Sequence, residues 1–381
     1  MINAPIHPIP PSKGAAVEWW MYQVSRRLQS LEPHLLCLAA PGQMMEEVRD
    51  GIHFHRARIG RAYRRLFQKI TRLDPWSYAH RMARRIDRLQ PAILHVHNAP
   101  ALMPRLRSLC RWKPALILHH MHNAMALESP DPEIHLIVNS RWLQNWYAER
   151  YPQHRIDVVT NGVDVDAFRP RWEMPEEVLT LKQQLGLPAN QRIVLFVGRI
   201  SVEKGALDLV HAFEQLIGIR RDTMLVMIGE RRTDRPGNPR VEYGNAVAAA
   251  CERLGDRCRF LGVVPPAEIQ RYYRLGDLLV VPSEFEEPFG MVAIEGMAAG
   301  VPVLVARKGG LPEFVIPGKT GHLITDTKNA RELAGQINDL LNQPNELDTL
   351  ARSARQYVEQ HHGWDTVTRQ LETLCQRCLN P

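Results

Sequence analysis

Short, continuous apolar runs alternate with amphipathic stretches along this chain, and they do so in two series. The first series covers residues 34–39, 93–97, 116–120, 135–139 and 156–160. The second covers 193–197, 224–228, 259–262, 278–281 and 302–306. Strands that are apolar on both faces belong in parallel sheets with helices packed on each side. Helix-spaced patterns fill the gaps, as at 206–217 and 331–341. The expected class is therefore α/β, with βα units repeated twice. At about 150 residues per domain, 381 residues give room for two. The break between the series is 160–172, TNGVDVDAFRPRW, where Asn-Gly and Arg-Pro interrupt any regular element. Two doubly wound parallel-sheet domains facing a cleft are expected, with ligands at the C-terminal ends of the strands.

Composition narrows the partners. Apolar residues are 45% and charged residues 23% of the chain, which excludes general disorder. No apolar run reaches the roughly 18 residues of a membrane span. The opening MINAPIHPIPPSKG lacks the apolar core of a secretory signal. Six scattered cysteines fit a reduced, cytoplasmic setting, and Cys375 and Cys378 form a lone CxxC with no second pair for zinc. Charge is uneven. Residues 1–170 hold 23 Lys/Arg against 14 Asp/Glu, a balance of +9, whereas 171–381 hold 25 against 27, a balance of −2. Residues 56–88 alone carry eleven basic and two acidic side chains. Leu66, Phe67, Ile70 and Leu73 within it are spaced for one helical face. Such a stretch suits an anionic membrane surface or a phosphorylated glycan; a solvated basic face is the plainer alternative. No nucleic-acid motif accompanies it, so nucleic acid is not an expected partner.

The most informative segment is 282–303, PSEFEEPFGMVAIEGMAAGVPV. It leaves a strand, passes through a loop and enters a helix. Glu287 precedes the helix, and Glu295 lies inside an otherwise apolar one. A carboxylate there is costly unless hydrogen-bonded, and a pair of sugar hydroxyls would serve. The helix start at Gly290 and Met291 presents free amides suited to a phosphate. In VGRISVEKG, residues 197–205, Arg199 follows a strand and Lys204 precedes a helix, a pairing that can clamp a pyrophosphate. The small-residue turn at Gly14 would let a ligand approach the backbone. Among His95, His97, His119, His120 and His122, the last sits just beyond a strand end, where site loops gather. A metal on His119, His120 and His122 lacks supporting carboxylates, and no metal site is expected. Asp164 and Asp166 spell a DxD, but in the interdomain break they read as a turn and cap.

Together, EEPFGMVAIEGMAAGVPV, GRISVEKG, TNGVDVDAF and the late HHGWDTV resemble the retaining GT-B glycosyltransferases of family 4, over nearly the whole chain. YRRLFQKITRLDPWSYAHR, GAAVEWWMYQV and HHMHNA are similar more narrowly to lipopolysaccharide-core α-1,2-N-acetylglucosaminyltransferases, which work at the inner face of the bacterial inner membrane. The resemblance implies an acceptor-binding Rossmann-like domain over 1–165, a nucleotide-sugar domain over 166–362, and a helix over 363–381 crossing back to the first. It implies that Arg199 and Lys204 bind the donor pyrophosphate and Glu295 the ribose. Glu287 would hold the transferred sugar, helped by the amides of Gly290 and Met291. His122 would line that sugar, and Gly14 would leave room for the pyrophosphate. The implied donor is UDP-N-acetylglucosamine and the implied acceptor the lipopolysaccharide core. Where the family has a clear first strand, this chain has INAPIHPIP, with three prolines; either that strand is short and irregular or the start is late.

Two cations and a helix start can take up the charge that develops on a departing β-phosphate, so no metal cofactor is expected. Glu287 is not expected to be a nucleophile; the acceptor hydroxyl would attack from the front face and pass its proton to the leaving phosphate. A hexosyltransferase using UDP-glucose or UDP-galactose is the nearest alternative. An epimerase or phosphorylase on the same scaffold, and a non-catalytic sugar-nucleotide binder, are further ones.

Overall fold

The computed structural model describes residues 1–3, 6–11, 15–58, 77–231 and 237–380. The chain divides into two compact units, Met1–Gly162 with Trp364–Pro381, and Val163–Gly363. Each is built on its own sheet.

The first unit contains β1 (Ile2–Asn3), β2 (His34–Leu38), β3 (Glu46–Arg49), β4 (Ile52–Ala57), β5 (Ile93–His97), β6 (Leu116–Met121), β7 (His135–Val138) and β8 (Ile156–Val158). Their order across the sheet is β3-β4-β2-β1-β5-β6-β7-β8. All pairs are parallel except β3 with β4. The segment that reads poorly as a strand does enter the sheet, but only through two residues. They sit between β2 and β5, with Asn3 opposite His97. Pro8 adds an isolated bridge to Leu38. The β3–β4 hairpin was not expected, because EEVR is too polar to read as a buried strand. Its turn is nevertheless written in the chain. Asp50 and Gly51 both take positive φ, as a tight Asp-Gly hairpin turn requires. One face of the sheet packs on Trp20, Met21 and the terminal helix through Trp364 and Leu371. The other packs on Met82, Ile86, Met103 and Leu106.

The basic stretch falls largely outside the described residues, including the apolar face proposed for Leu66, Phe67, Ile70 and Leu73. At its start, Arg56 is not a surface cation. It is buried on β4, pairs with Glu47 at 2.8 Å and lies over the Phe54 ring. At its end, the helix Tyr78–Leu89 is capped by the Ser77 hydroxyl, which accepts from the His80 amide.

The second unit contains β9 (Arg192–Val197), β10 (Thr223–Ile228), β11 (Cys258–Gly262), β12 (Leu278–Val281), β13 (Val303–Ala306) and β14 (His322–Ile324). They form a parallel sheet in the order β11-β10-β9-β12-β13-β14. Successive residues of β9 serve opposite layers: Ile193 and Leu195 join one apolar cluster, Val194 and Phe196 the other. That is why the strand reads as an unbroken apolar run. The chain winds outward from β9 through β10 to β11, then returns to the other side of β9 as β12. The winding reverses between β9 and β12, and the crevice at such a reversal is where doubly wound sheets bind ligands.

Candidate functional site

Both motif segments of the second unit end at this reversal. Past β9 come Gly198 and Arg199, then the one-turn helix Val202–Lys204 and the helix Ala206–Ile219. Past β12 come Pro282 and Ser283, then the loop that leads to Gly290 and the helix Met291–Ala298. Glycine is required at the crossing. Gly205 has φ +64, and a Cβ there would lie 2.0 Å from the Pro282 carbonyl oxygen.

Lys204 and Glu287, distant in sequence, meet here. The Lys204 ammonium donates to Glu287 Oε1, and the Ser283 hydroxyl donates to the same oxygen at 2.7 Å. Lys204 also stands 4.7 Å from the centroid of the Phe285 ring. The Glu287 backbone is clasped as well. Its carbonyl accepts from the Gly310 amide at 2.8 Å, and a Cβ on Gly309 would lie 2.0 Å from that carbonyl oxygen. Glu287 is buried, yet its Oε2 accepts no hydrogen bond among the described residues. Glu295 shows the same half-anchored form. Tyr273 donates its hydroxyl to Oε2 at 2.6 Å and leaves Oε1 open. Burial raises the Glu295 pKa to about 7, and the Tyr273 bond opposes that rise. So the partner demanded by an apolar helix is supplied first by a tyrosine.

Gly290 adopts φ +107 and starts the helix Met291–Ala298; a Cβ there would strike Leu311 at 2.3 Å. The first amides of that helix have no intrahelical acceptor. Arg199 is exposed and forms no ion pair among the described residues. The structure thus brings Arg199, Lys204, Glu287, Gly290, Met291 and Glu295 to one end of one sheet. Ser283, Phe285 and Tyr273 were not foreseen. Ser283 and Phe285 lie inside the motif segment and could have been suspected, but RYYRLG around Tyr273 carries no signal.

Gly14 lies outside the described residues. The histidines occupy the C-terminal ends of β5 and β6 in the first unit. His95, His97, His120 and His122 pack around the fully buried Trp20, with ring centroids 4.7–5.9 Å from the indole. His122 Nε2 lies 3.2 Å from His97 Nδ1. Its amide donates to Asn98 Oδ1, and its carbonyl accepts from Asn139 Nδ2. Burial lowers the His122 pKa to about 3, so its ring is neutral at pH 7. His119 does not join the group, because strand alternation turns it to the other face of β6. Asp164 does behave as a cap: its Oδ1 accepts from the Ala167 amide at 3.0 Å. Cys375 and Cys378 are free thiols, with Cys378 Sγ 3.5 Å from His135 Nδ1.

Comparison with known proteins bears on the family and the fold. Residues 17–167 match the model of glycosyltransferase family 4, and residues 178–357 match that of glycosyl transferases group 1. A lipopolysaccharide 1,2-N-acetylglucosaminetransferase of Salmonella typhimurium is 35% identical over 372 residues, covering 97% of this chain and 95% of that protein. Spore coat protein SA of Bacillus subtilis is 28% identical over 380 residues, covering 96% and 95%. Among solved structures, a sucrose-phosphate synthase from Thermosynechococcus elongatus superimposes with a TM-score of 0.80 at 23% identity, covering 99% of this chain and 98% of that one. Anabaena Alr3699/HepE in complex with UDP and glucose gives 0.75 at 20%, with 98% of each chain covered. No helix among the described residues is long and apolar enough to cross a membrane.

Proposed function

The chain belongs to the GT-B glycosyltransferases of family 4, and from that premise we propose that it transfers N-acetylglucosamine from UDP-N-acetylglucosamine to the lipopolysaccharide core, with retention and without a catalytic metal. The observation that carries the reading is the pair of half-anchored glutamates, each holding one carboxylate oxygen open near Lys204, Arg199 and a helix start. The enzyme class itself follows from the family. The choice of sugar and acceptor is supported by the 35% identical relative, which spans nearly the whole chain.

In this reading Glu295 accepts from the ribose hydroxyls through Oε1. Glu287 accepts from a hydroxyl of the transferred sugar through Oε2. Arg199, Lys204 and the amides of Gly290 and Met291 stabilise the negative charge that grows on the β-phosphate as the glycosidic bond breaks. Positive charge is thus available at the leaving group from side chains alone. Retention does not require Glu287 as a nucleophile. Its Oε1 is committed to Lys204 and Ser283, which lowers the nucleophilicity of that oxygen. The acceptor hydroxyl attacks from the face that UDP leaves, and its proton passes to the departing phosphate. His122, neutral in its pocket, is assigned to the transferred sugar. The basic stretch 56–88, apart from the buried Arg56, is assigned to an anionic membrane surface or to phosphates of the acceptor.

A donor panel tests this. Purified protein is given truncated lipopolysaccharide core and, in turn, UDP-N-acetylglucosamine, UDP-glucose, UDP-galactose or GDP-mannose, all with EDTA, at low and high salt. The expected result is acceptor-dependent UDP release with an N-acetylhexosamine gain in acceptor mass, retained anomeric configuration, and weaker turnover on membrane-borne acceptor at high salt. Turnover only with another donor would overturn the sugar assignment. Turnover abolished by EDTA would overturn metal independence.

A further inference from the structure

The first unit holds a second polar cluster that sugar transfer does not use. His95, His97 and His120 each offer a ring nitrogen, and the three atoms lie within 4.8 Å of one another. All three residues are buried, with His97 and His120 at 0% exposure. His95 Nε2, His97 Nε2 and both nitrogens of His120 have no hydrogen-bond partner. Buried polar atoms are normally paired, so converging orphans call for an occupant. From these convergent, unpartnered nitrogens we infer that His95, His97 and His120 form a buried site for a divalent metal of zinc type.

The geometry comes from the sheet. His95 and His97 are two residues apart on β5 and share a face; His120 on β6 is the register partner of His97. Ring centroids stand 4.1 Å apart for His95 and His97 and 5.1 Å for His97 and His120. Trp20 closes the face at 4.7 Å from the His120 ring. Zinc bonds of about 2.0–2.1 Å are within reach of ring rotation from these positions. The outer contacts suit a metal as well. His97 turns Nδ1 to His122 and leaves its unpartnered Nε2 for the ion. Next to the site in the sheet, Asn3 is the register partner of His97, and its side-chain amide donates to Glu18 at 2.9 Å. Three neutral imidazoles select a borderline ion such as zinc over magnesium or calcium. The ion is structural: it ties β5 to β6 beneath Trp20, so metal-free sugar transfer and a resident metal are compatible.

The test reads metal content without donor or acceptor, so its outcome is separate from that of the donor panel. Untagged protein from zinc-supplemented cells is passed through EDTA and analysed by elemental mass spectrometry. About one zinc per chain is expected. Zinc-edge X-ray absorption should show nitrogen neighbours with imidazole scattering and no sulfur. His120→Gln should lose the ion, with affinity weakened at least about 100-fold, while His119→Gln, on the other face, should keep it. Zinc-free protein would overturn the site and leave a trapped water as the occupant. Sulfur scattering, or equal retention by His120→Gln, would overturn it by placing the ion elsewhere. If His120→Gln does not fold, the absorption spectrum of the unaltered protein decides alone.

Discussion

The two polar regions of this protein solve burial in opposite ways. At the β9–β12 reversal, charge is compensated by charge: Glu287 is met by Lys204 and Ser283, and each glutamate keeps one oxygen open. Around Trp20, four histidines are dehydrated into neutrality, and burial first, then repulsion among the neighbouring rings, holds His95, His97 and His120 well below their usual range. A compensated ion pair can trade partners with a charged ligand at modest cost. Desolvated neutral rings gain by staying closed or by sharing an ion. The first region is suited to turnover, and the trio His95, His97 and His120 to holding a sheet together.

The largest expected effect attacks the closed region. Trp20 is fully buried and its indole N–H donates to the Thr160 carbonyl at 3.2 Å. Trp20→Ala should cost about 3–5 kcal/mol of stability, read as a lower urea midpoint for the transition of the first unit. A loss under about 1 kcal/mol would show that the histidine pocket is not closed by this ring. Next comes the open region. Lys204→Ala should lower kcat by about 100- to 1,000-fold with little change in melting temperature. Equal losses of fold and rate would erase the contrast between the two regions.

The smallest effect is at Glu295. Its pKa is about 7 in the native protein against 4.5 for an unperturbed glutamate. Below pH 4.5 the group is protonated in both the folded and the unfolded chain, and contributes no difference. As pH rises towards 7 the unfolded chain ionises first, so native stability falls across that window. Glu295→Gln should remove this slope, making the variant more stable than the parent at pH 8 by on the order of 2 kcal/mol, with little gain at pH 4. The same chemistry sets donor binding. Only the ionised carboxylate is acceptor-only, so donor KM should rise as pH falls below 7. Tyr273→Phe removes the bond that holds the pKa down, and should move that limb to higher pH. A pH-independent stability difference, or an unmoved limb, would count against a buried Glu295 carboxylate.

Much of the second unit was legible. Five of its six strands lie within a residue of the apolar runs, because a strand buried on both faces has no polar alternation to blur it; β14 matches none of them. Glu295 was legible for a related reason: charge inside an apolar helix is an anomaly that the sequence exposes, and Glu287 was legible from its place in the same loop-to-helix segment. The first unit read less well. EEVR in the edge strand β3 and the two-residue β1 in mid-sheet carry too few apolar residues to announce themselves. Tyr273 was invisible, since a tyrosine in RYYRLG looks the same whether its hydroxyl meets water or Glu295.

What the sequence determined by itself was the periodicity: two series of βα units, their break, and the charged residues stranded at the strand ends. Those follow from local hydrophobic patterning, which is written residue by residue. Only tertiary structure decided the pairings. Lys204 meets Glu287 across 83 residues, Tyr273 meets Glu295, and His120 joins His95 and His97 while its neighbour His119 turns away. Such contacts depend on strand order and register, and a chain does not spell out which strand its next one will lie beside.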